Sequence, residues 1–120
     1  MSARNEALRD ALSRHREINL TVTGRTSGRR VSIPVWFVLE GGTLYLLPVQ
    51  GSDTQWFKNA IKNPSIRIDA GDAAAEFQAV PITDAARVLS VVEKFRHKHG
   101  TSDVKKYYSK FDVAVLVPMP

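Results

Sequence analysis

Asn19-Leu20-Thr21-Val22-Thr23-Gly24-Arg25-Thr26-Ser27-Gly28-Arg29-Arg30-Val31-Ser32-Ile33-Pro34-Val35-Trp36-Phe37-Val38-Leu39-Glu40 changes character twice. Leu20 and Val22 alternate with Thr21 and Thr23, the period-two pattern of a strand that ends at Gly24. A basic loop follows, Gly24 to Arg30. From Ser32 to Glu40 the residues are mostly β-branched and aromatic, which predicts a strand buried on both faces. Pro34 sits near its start, where a missing N–H is best tolerated. Trp36 and Phe37 must then point to opposite faces.

Working outward, Gly41-Gly42 marks a hairpin and Thr43 to Val49 the returning strand. Gly51-Ser52-Asp53-Thr54 leads into a helix carrying Trp56, Phe57, Ala60 and Ile61, which Asn63-Pro64 stops. Ser65–Asp69 and Glu76–Ile82 read as strands joined by the turn Ala70-Gly71-Asp72. Asp84 caps a helix with the apolar stripe Val88, Val91, Val92 and Phe95, and Gly100 closes it. Before the first strand, Arg4 to Arg16 reads as a helix with Ser2 as its N-cap and Leu8, Ala11, Leu12 and His15 on one face. A Tyr/Lys-rich segment, Val104 to Phe111, precedes a last strand, Ala114 to Val117. The expected fold is α+β: six strands, mostly antiparallel, closed into a small split β-barrel flanked by three or four helices, because closure removes exposed edges.

Composition bounds the function. At 120 residues, with 43% hydrophobic and 24% charged residues, the chain is expected to form one globular domain over residues 1–120. It has no cysteine, which excludes disulfides, thiolate metal sites and cysteine nucleophiles, and mildly favours the cytosol. No window has the apolar length of a membrane span, and the polar N-terminus lacks a signal-peptide core, so a cytoplasmic location is expected. The net charge of +5 and the pI of about 9.8 favour anionic partners.

The basic loop is where charge and chemistry coincide. Glycines let the backbone approach a ligand, arginine forks bind phosphate oxygens in pairs, and Thr26 and Ser27 add neutral donors. On composition alone, an anion cradle and a solvated basic turn are equally good readings. Val49-Gln50-Gly51-Ser52 ends a strand, and its amides could meet polar atoms of a ring; a plain strand-to-helix turn reads as well. His97 and His99 stand roughly 200° apart around a helix, which does not suit a shared metal. No Gly-x-Ser-x-Gly and no paired carboxylates point to hydrolysis. Lys94, Arg96, Lys98, Lys105, Lys106 and Lys110, with Tyr107 and Tyr108, form a basic-aromatic segment of the type that binds single-stranded nucleic acid, but no nucleic-acid motif accompanies it, and a solvated helix face is the preferred reading.

The ordered motifs Leu20–Arg29, Pro34–Val38 and Gly51–Asn59 with Asn63-Pro64 resemble those of the deazaflavin-dependent nitroreductases, split-barrel proteins of the wider flavin-binding superfamily. The resemblance covers about Leu20 to Ile68 and implies coenzyme F420, or FMN as the alternative, as hydride carrier. It implies that Arg25, Thr26, Ser27, Gly28 and Arg30 lie near the cofactor phosphate, and that Pro34 and Trp36 lie at the ring or substrate side. Val49, Gln50 and Gly51 would sit beside the ring, with Trp56 and Asn59 shaping the cleft. The implied activity is hydride transfer to a small electrophile such as a quinone, enone or nitro compound, by a monomer or homodimer. The chain departs from the family where lysine is common, at Thr26 and Gln50, and each change removes a charge-assisted contact to an anionic cofactor. A non-catalytic flavin- or deazaflavin-binding protein is therefore the alternative reading.

Overall fold

In the computed structural model, which describes residues 3–119, α1 (Ala3–Arg14) precedes the hairpin β1 (Glu17–Thr23) and β2 (Arg30–Trp36). Then come β3 (Val38–Glu40), β4 (Thr43–Leu46), a 3-10 turn (Gly51–Asp53) and α2 (Gln55–Lys62). β5 (Ser65–Ala70), β6 (Ala73–Gln78), β7 (Val80–Ile82), α3 (Ala85–His99), α4 (Thr101–Tyr107) and β8 (Ala114–Pro118) complete the order. The proposed cap Ser2 lies outside the described residues.

Among the described residues, eight strands form two four-stranded sheets, β2-β1-β5-β6 and β3-β4-β8-β7, with every adjacent pair antiparallel. The expectation of six strands in a closed barrel is corrected on both counts. Two of the expected strands, Ser32–Glu40 and Glu76–Ile82, each break in the middle and pass from one sheet to the other. The first breaks at Phe37, whose carbonyl is taken by side chains of α3, Lys98 Nζ at 2.8 Å and His99 Nε2 at 3.1 Å. The second breaks at Ala79, whose N–H donates to Pro64 O at 2.8 Å.

Between the sheets, Ile18, Leu20, Val22, Ile66, Ile68 and Phe77 meet Leu44, Leu46, Val115 and Val117. The stripe Leu8, Ala11 and Leu12 brings α1 onto this core, and Trp56, Phe57 and Ala60 bring α2. A second core lies on the far face of β3-β4-β8-β7, where Val88, Val91, Val92 and Phe95 of α3 cover Val38, Leu47, Ile82 and Ala114. The Asp84 side chain caps α3 by accepting from Arg87 N at 3.0 Å. On the outer face of the other sheet, Glu17, Asn19, Ser32, Pro34, Arg67 and Glu76 stand exposed. β2 lies at its edge, and Arg30, Val31, Ser32 and Pro34 are exposed, so the expectation of a strand buried on both faces is also corrected. Position in the sheet overrides composition here.

Candidate functional site

The register of the β1–β2 hairpin lays out the site. Seven pairs run from Glu17 opposite Trp36 to Thr23 opposite Arg30. Because side chains alternate, Arg30, Ser32, Pro34 and Trp36 share the outer face of β2. At an ordinary strand rise of about 3.3 Å per residue, Arg30 and Pro34 lie about 13 Å apart and Arg30 and Trp36 about 20 Å. Between them the Thr21 and Ser32 hydroxyls meet at 2.6 Å.

The basic loop closes the Arg30 end. Gly24 N donates to Arg29 O at 2.7 Å, Gly28 N to Gly24 O at 3.0 Å, and Arg29 N to Ser27 Oγ at 3.2 Å. These bonds curl the loop so tightly that a Cβ on Gly24 would stand 2.7 Å from Ser27 Oγ. Arg25 fastens it to α2: its backbone N and Nη1 donate to Asn59 Oδ1 at 3.1 and 2.7 Å, and Nη2 donates to Gln55 Oε1 at 2.8 Å. Arg30 reaches across the outer face to Glu76 Oε1 at 3.2 Å. Both of these arginines already hold protein partners, while Thr26, Ser27, Gly28 and Arg29 face solvent.

A cavity of about 340 Å³ lies at the other end, lined by Glu17, Pro34, Val35, Trp36, Leu47, Val49, Tyr107 and Tyr108. Its lining is mainly apolar and aromatic, with one carboxylate and two phenols as polar groups, the composition of a small-molecule site. Trp36 is its best-supported wall: the indole stacks on His99 at 4.5 Å between centroids and meets the Tyr107 ring edge-on at 5.6 Å. The Arg16 guanidinium lies 5.0 Å from the indole ring. Burial pushes the Tyr108 phenol above its ordinary range, so this group stays protonated at any physiological pH.

A latch holds the wall formed by Val49. Ser109 N donates to Val49 O at 2.8 Å, and Ser52 N donates to Asp112 Oδ1 at 2.9 Å, with the Ser52 hydroxyl on the other carboxylate oxygen. Lys110 Nζ lies 3.2 Å from Asp53 and 3.7 Å from Asp112. These contacts perturb both charges: the hydrogen bond from Ser52 holds Asp112 below the usual carboxylate range, and the bond to Asp53 raises Lys110.

The residues expected from the sequence thus fall into separate places. Pro34, Trp36 and Val49 line one cavity. Arg25, Thr26, Ser27 and Gly28 form the loop at the opposite end of the hairpin, with Arg30 at its foot and Asn59 as its anchor. Gln50 N is taken by Thr54 Oγ1 at 2.8 Å, and Gly51 is buried beneath Asp112, so neither amide is available to a ring. Trp56 is 5% exposed and belongs to the core. Glu17, Val35, Leu47, Tyr107 and Tyr108 enter the cavity without having been singled out for it. The paired tyrosines were visible as a basic-aromatic segment, but only the turn at Gly100 brings α4 back over β2. Of the cations around them, Lys94 pairs with Glu40, Arg96 with Glu93 and Lys110 with Asp53, while Lys98 turns inward to Phe37 O. Among the described residues, no three His, Asp or Glu side chains converge to hold a metal ion, and no helix is long and apolar enough to cross a membrane.

A family model described as an uncharacterized protein conserved in bacteria, DUF2255, matches residues 9–114. The chain belongs to the DUF2255 family. No curated protein matches this DUF2255 chain. Solved structures share its fold. An F420-H2 dependent reductase is 19% identical with a TM-score of 0.64, the match covering 86% of the DUF2255 chain and 94% of the reductase. HutZ, a heme storage protein from Vibrio cholerae, is 13% identical with a TM-score of 0.70, covering 96% and 88%. An FAD-binding protein from Mesorhizobium loti is 12% identical with a TM-score of 0.66, covering 100% and 90%. At these identities the likeness is one of fold.

Proposed function

We propose that residues 1–120 form one domain that binds a flavin or deazaflavin along the outer face of β2 and passes hydride from it to a small electrophile. The observation that carries this reading is the placement of Arg30, Ser32, Pro34 and Trp36 on one exposed strand face, with a basic loop at one end and an aromatic cavity at the other. The run from Arg30 to Pro34, about 13 Å, suits a ring and a phosphate joined by a short polyol. The cofactor supplies the redox chemistry when bound. The chain's own tasks are to wall the ring with Pro34, Trp36 and Val49, to hold the phosphate near Ser27, Gly28 and Arg29, and to keep water from the cavity with Tyr107 and Tyr108. The resemblance of the loop to deazaflavin-dependent nitroreductases supports F420, with FMN as the alternative; the fold is shared with both an F420-H2 dependent reductase and an FAD-binding protein.

The experiment is a parallel fluorescence titration of the protein with F420 and with FMN, repeated on Trp36→Ala and Arg29→Ala. Saturable binding that weakens about tenfold in each variant is the expected result, since a charge-assisted contact or a stacked wall contributes on the order of 1.4 kcal/mol. Binding of neither cofactor removes the proposal. A second reading, cofactor binding without turnover, is favoured by the internal partners of Arg25 and Arg30 and by the heme storage protein that shares the fold. Steady-state assays with reduced cofactor and quinone, enone and nitro acceptors separate the two.

A further inference from the structure

His99 ends α3 and is 5% exposed. Its Nε2 lies 3.1 Å from Phe37 O. A carbonyl oxygen can only accept, so Nε2 carries the hydrogen of the neutral ring and Nδ1 has none. Nδ1 is buried and has no partner among the described residues. One face of the imidazole lies against Trp36, with 12° between the ring planes, and Phe95 packs at 5.6 Å. Trp36 in turn lines the cavity. His99 is thus buried behind the aromatic wall and does not itself line the cavity.

We propose that neutral His99 is a positioning residue for this wall: fixed to the Phe37 carbonyl and stacked on Trp36, it holds the indole where a ligand meets it, and protonation of His99 releases that hold. A proton on Nδ1 would be a buried donor with no acceptor. It would also place a cation beside others. Lys98 of α3 already binds the same carbonyl at 2.8 Å, and Arg16, ahead of β1, lies against the Trp36 ring. From α4, Asp103 supplies the opposing charge, but it is already paired with Arg16 at 3.4 Å, and Tyr107 and Tyr108 present aromatic rings to Trp36. Consistent with this, burial holds the His99 imidazole below its ordinary value; the Phe37 carbonyl opposes that, Lys98 and Arg16 reinforce it, and Asp103 opposes it weakly. The proposal rests on Proposed function only for the identity of the ligand, since the coupling of His99 to Trp36 belongs to the protein alone.

The test is a pH titration of the protein by NMR from pH 8 to 5, reading the imidazole signals of His15, His97 and His99 and the two indole N–H signals, with Trp36→Phe assigning the latter. The expected result is that His99 titrates below the ordinary imidazole value, that the Trp36 signal moves with the same midpoint, and that the Trp56 signal does not. His99→Gln keeps a donor for Phe37 O and should abolish the Trp36 transition. In parallel, FMN and F420 titrations should show affinity falling below the His99 midpoint and levelling off at a loss of no more than about tenfold, the loss expected for Trp36→Ala. A Trp36 signal that ignores His99, or a transition that survives His99→Gln, overturns the proposal. If Trp36 follows His99 but neither cofactor binds, the positioning role stands and the flavin assignment falls.

Discussion

Replacing Gly51 by alanine tests how the cavity wall is held. Gly51 has φ +55°, and an added Cβ would stand 2.1 Å from Asp112 Oδ1. The backbone cost of a left-handed non-glycine residue is roughly 1–2 kcal/mol. The carboxylate must also move, which breaks its bonds to the Ser52 amide and hydroxyl; after solvent screening these contribute about 1 kcal/mol. The expected loss is about 2–3 kcal/mol, or a fall in Tm of about 8–12 °C for a chain of this length. Thermal and urea unfolding of Gly51→Ala, Asp112→Ala and the double variant form a cycle. In the Asp112→Ala background the clash with the carboxylate disappears and only the flexible Lys110 side chain, whose Cγ would stand 3.0 Å from the new Cβ, must give way, so Gly51→Ala should then cost little beyond the backbone share, leaving a coupling of about 1 kcal/mol. A single-variant loss below about 0.5 kcal/mol, or a cycle with no coupling, would refute the latch.

Trp56→Ala should cost about 3–5 kcal/mol, as expected for a buried core aromatic, yet leave ligand affinity of the folded fraction unchanged; Trp36→Ala should do the reverse, and calorimetry beside cofactor titration checks both. Asn59→Ala removes both acceptor contacts of Arg25 and should cost no more than about 1 kcal/mol, because the contacts are exposed, while amide exchange in the loop 24–30 accelerates. Stability should fall with acidification in two windows. The first opens below about pH 6.5, where the unfolded state takes up a proton that folded His99 resists. The second opens below about pH 4, where Asp112, depressed in the folded state, begins to lose its bonds to Ser52. Denaturant midpoints between pH 8 and 3 should show both, and His99→Gln should flatten the first.

The elements were legible where local pattern and tertiary position agree. The stripe Val88, Val91, Val92 and Phe95 predicts α3 because it is also the face that is buried, and Asp84 and Gly100 mark its ends by chemistry that needs no partner. Legibility stopped where a partner distant in sequence decides the outcome. Nothing local to Phe37 says that its carbonyl will bond Lys98 and His99, 61 and 62 residues on. Without that contact, and without the bond from Ala79 N–H to Pro64 O, Ser32–Glu40 and Glu76–Ile82 each read as one strand, and a count of six follows. Trp56 and Trp36 look alike as aromatics near motifs, and only packing sorts them into core and cavity wall. The basic loop was legible as a loop, but not the anchoring of Arg25 by Asn59 and Gln55, which fastens one of its three arginines to α2.

The break at Phe37 also explains why the cavity exists where it does. A strand that continued straight past Trp36 would carry its neighbours with it and leave the outer face flat. Instead the chain turns into the second sheet, Phe37 drops into the core at 1% exposure, and Trp36 is left as the last residue of its own strand. The carbonyl freed by that turn needs a donor, and the end of α3 provides two. Those donors fix α3 at the point from which Gly100, at φ +96°, redirects the chain into α4, and α4 brings Tyr107 and Tyr108 over Trp36. The hydrogen-bond debt of one interrupted strand and the roof of the cavity therefore have a common origin. Lys98→Met, which keeps the aliphatic stem but removes one donor, should loosen both together: lower stability by about 1 kcal/mol and a measurable loss of cofactor affinity in the same variant. A Lys98→Met protein that loses stability while binding the proposed flavin or deazaflavin unchanged would show that the two are separable.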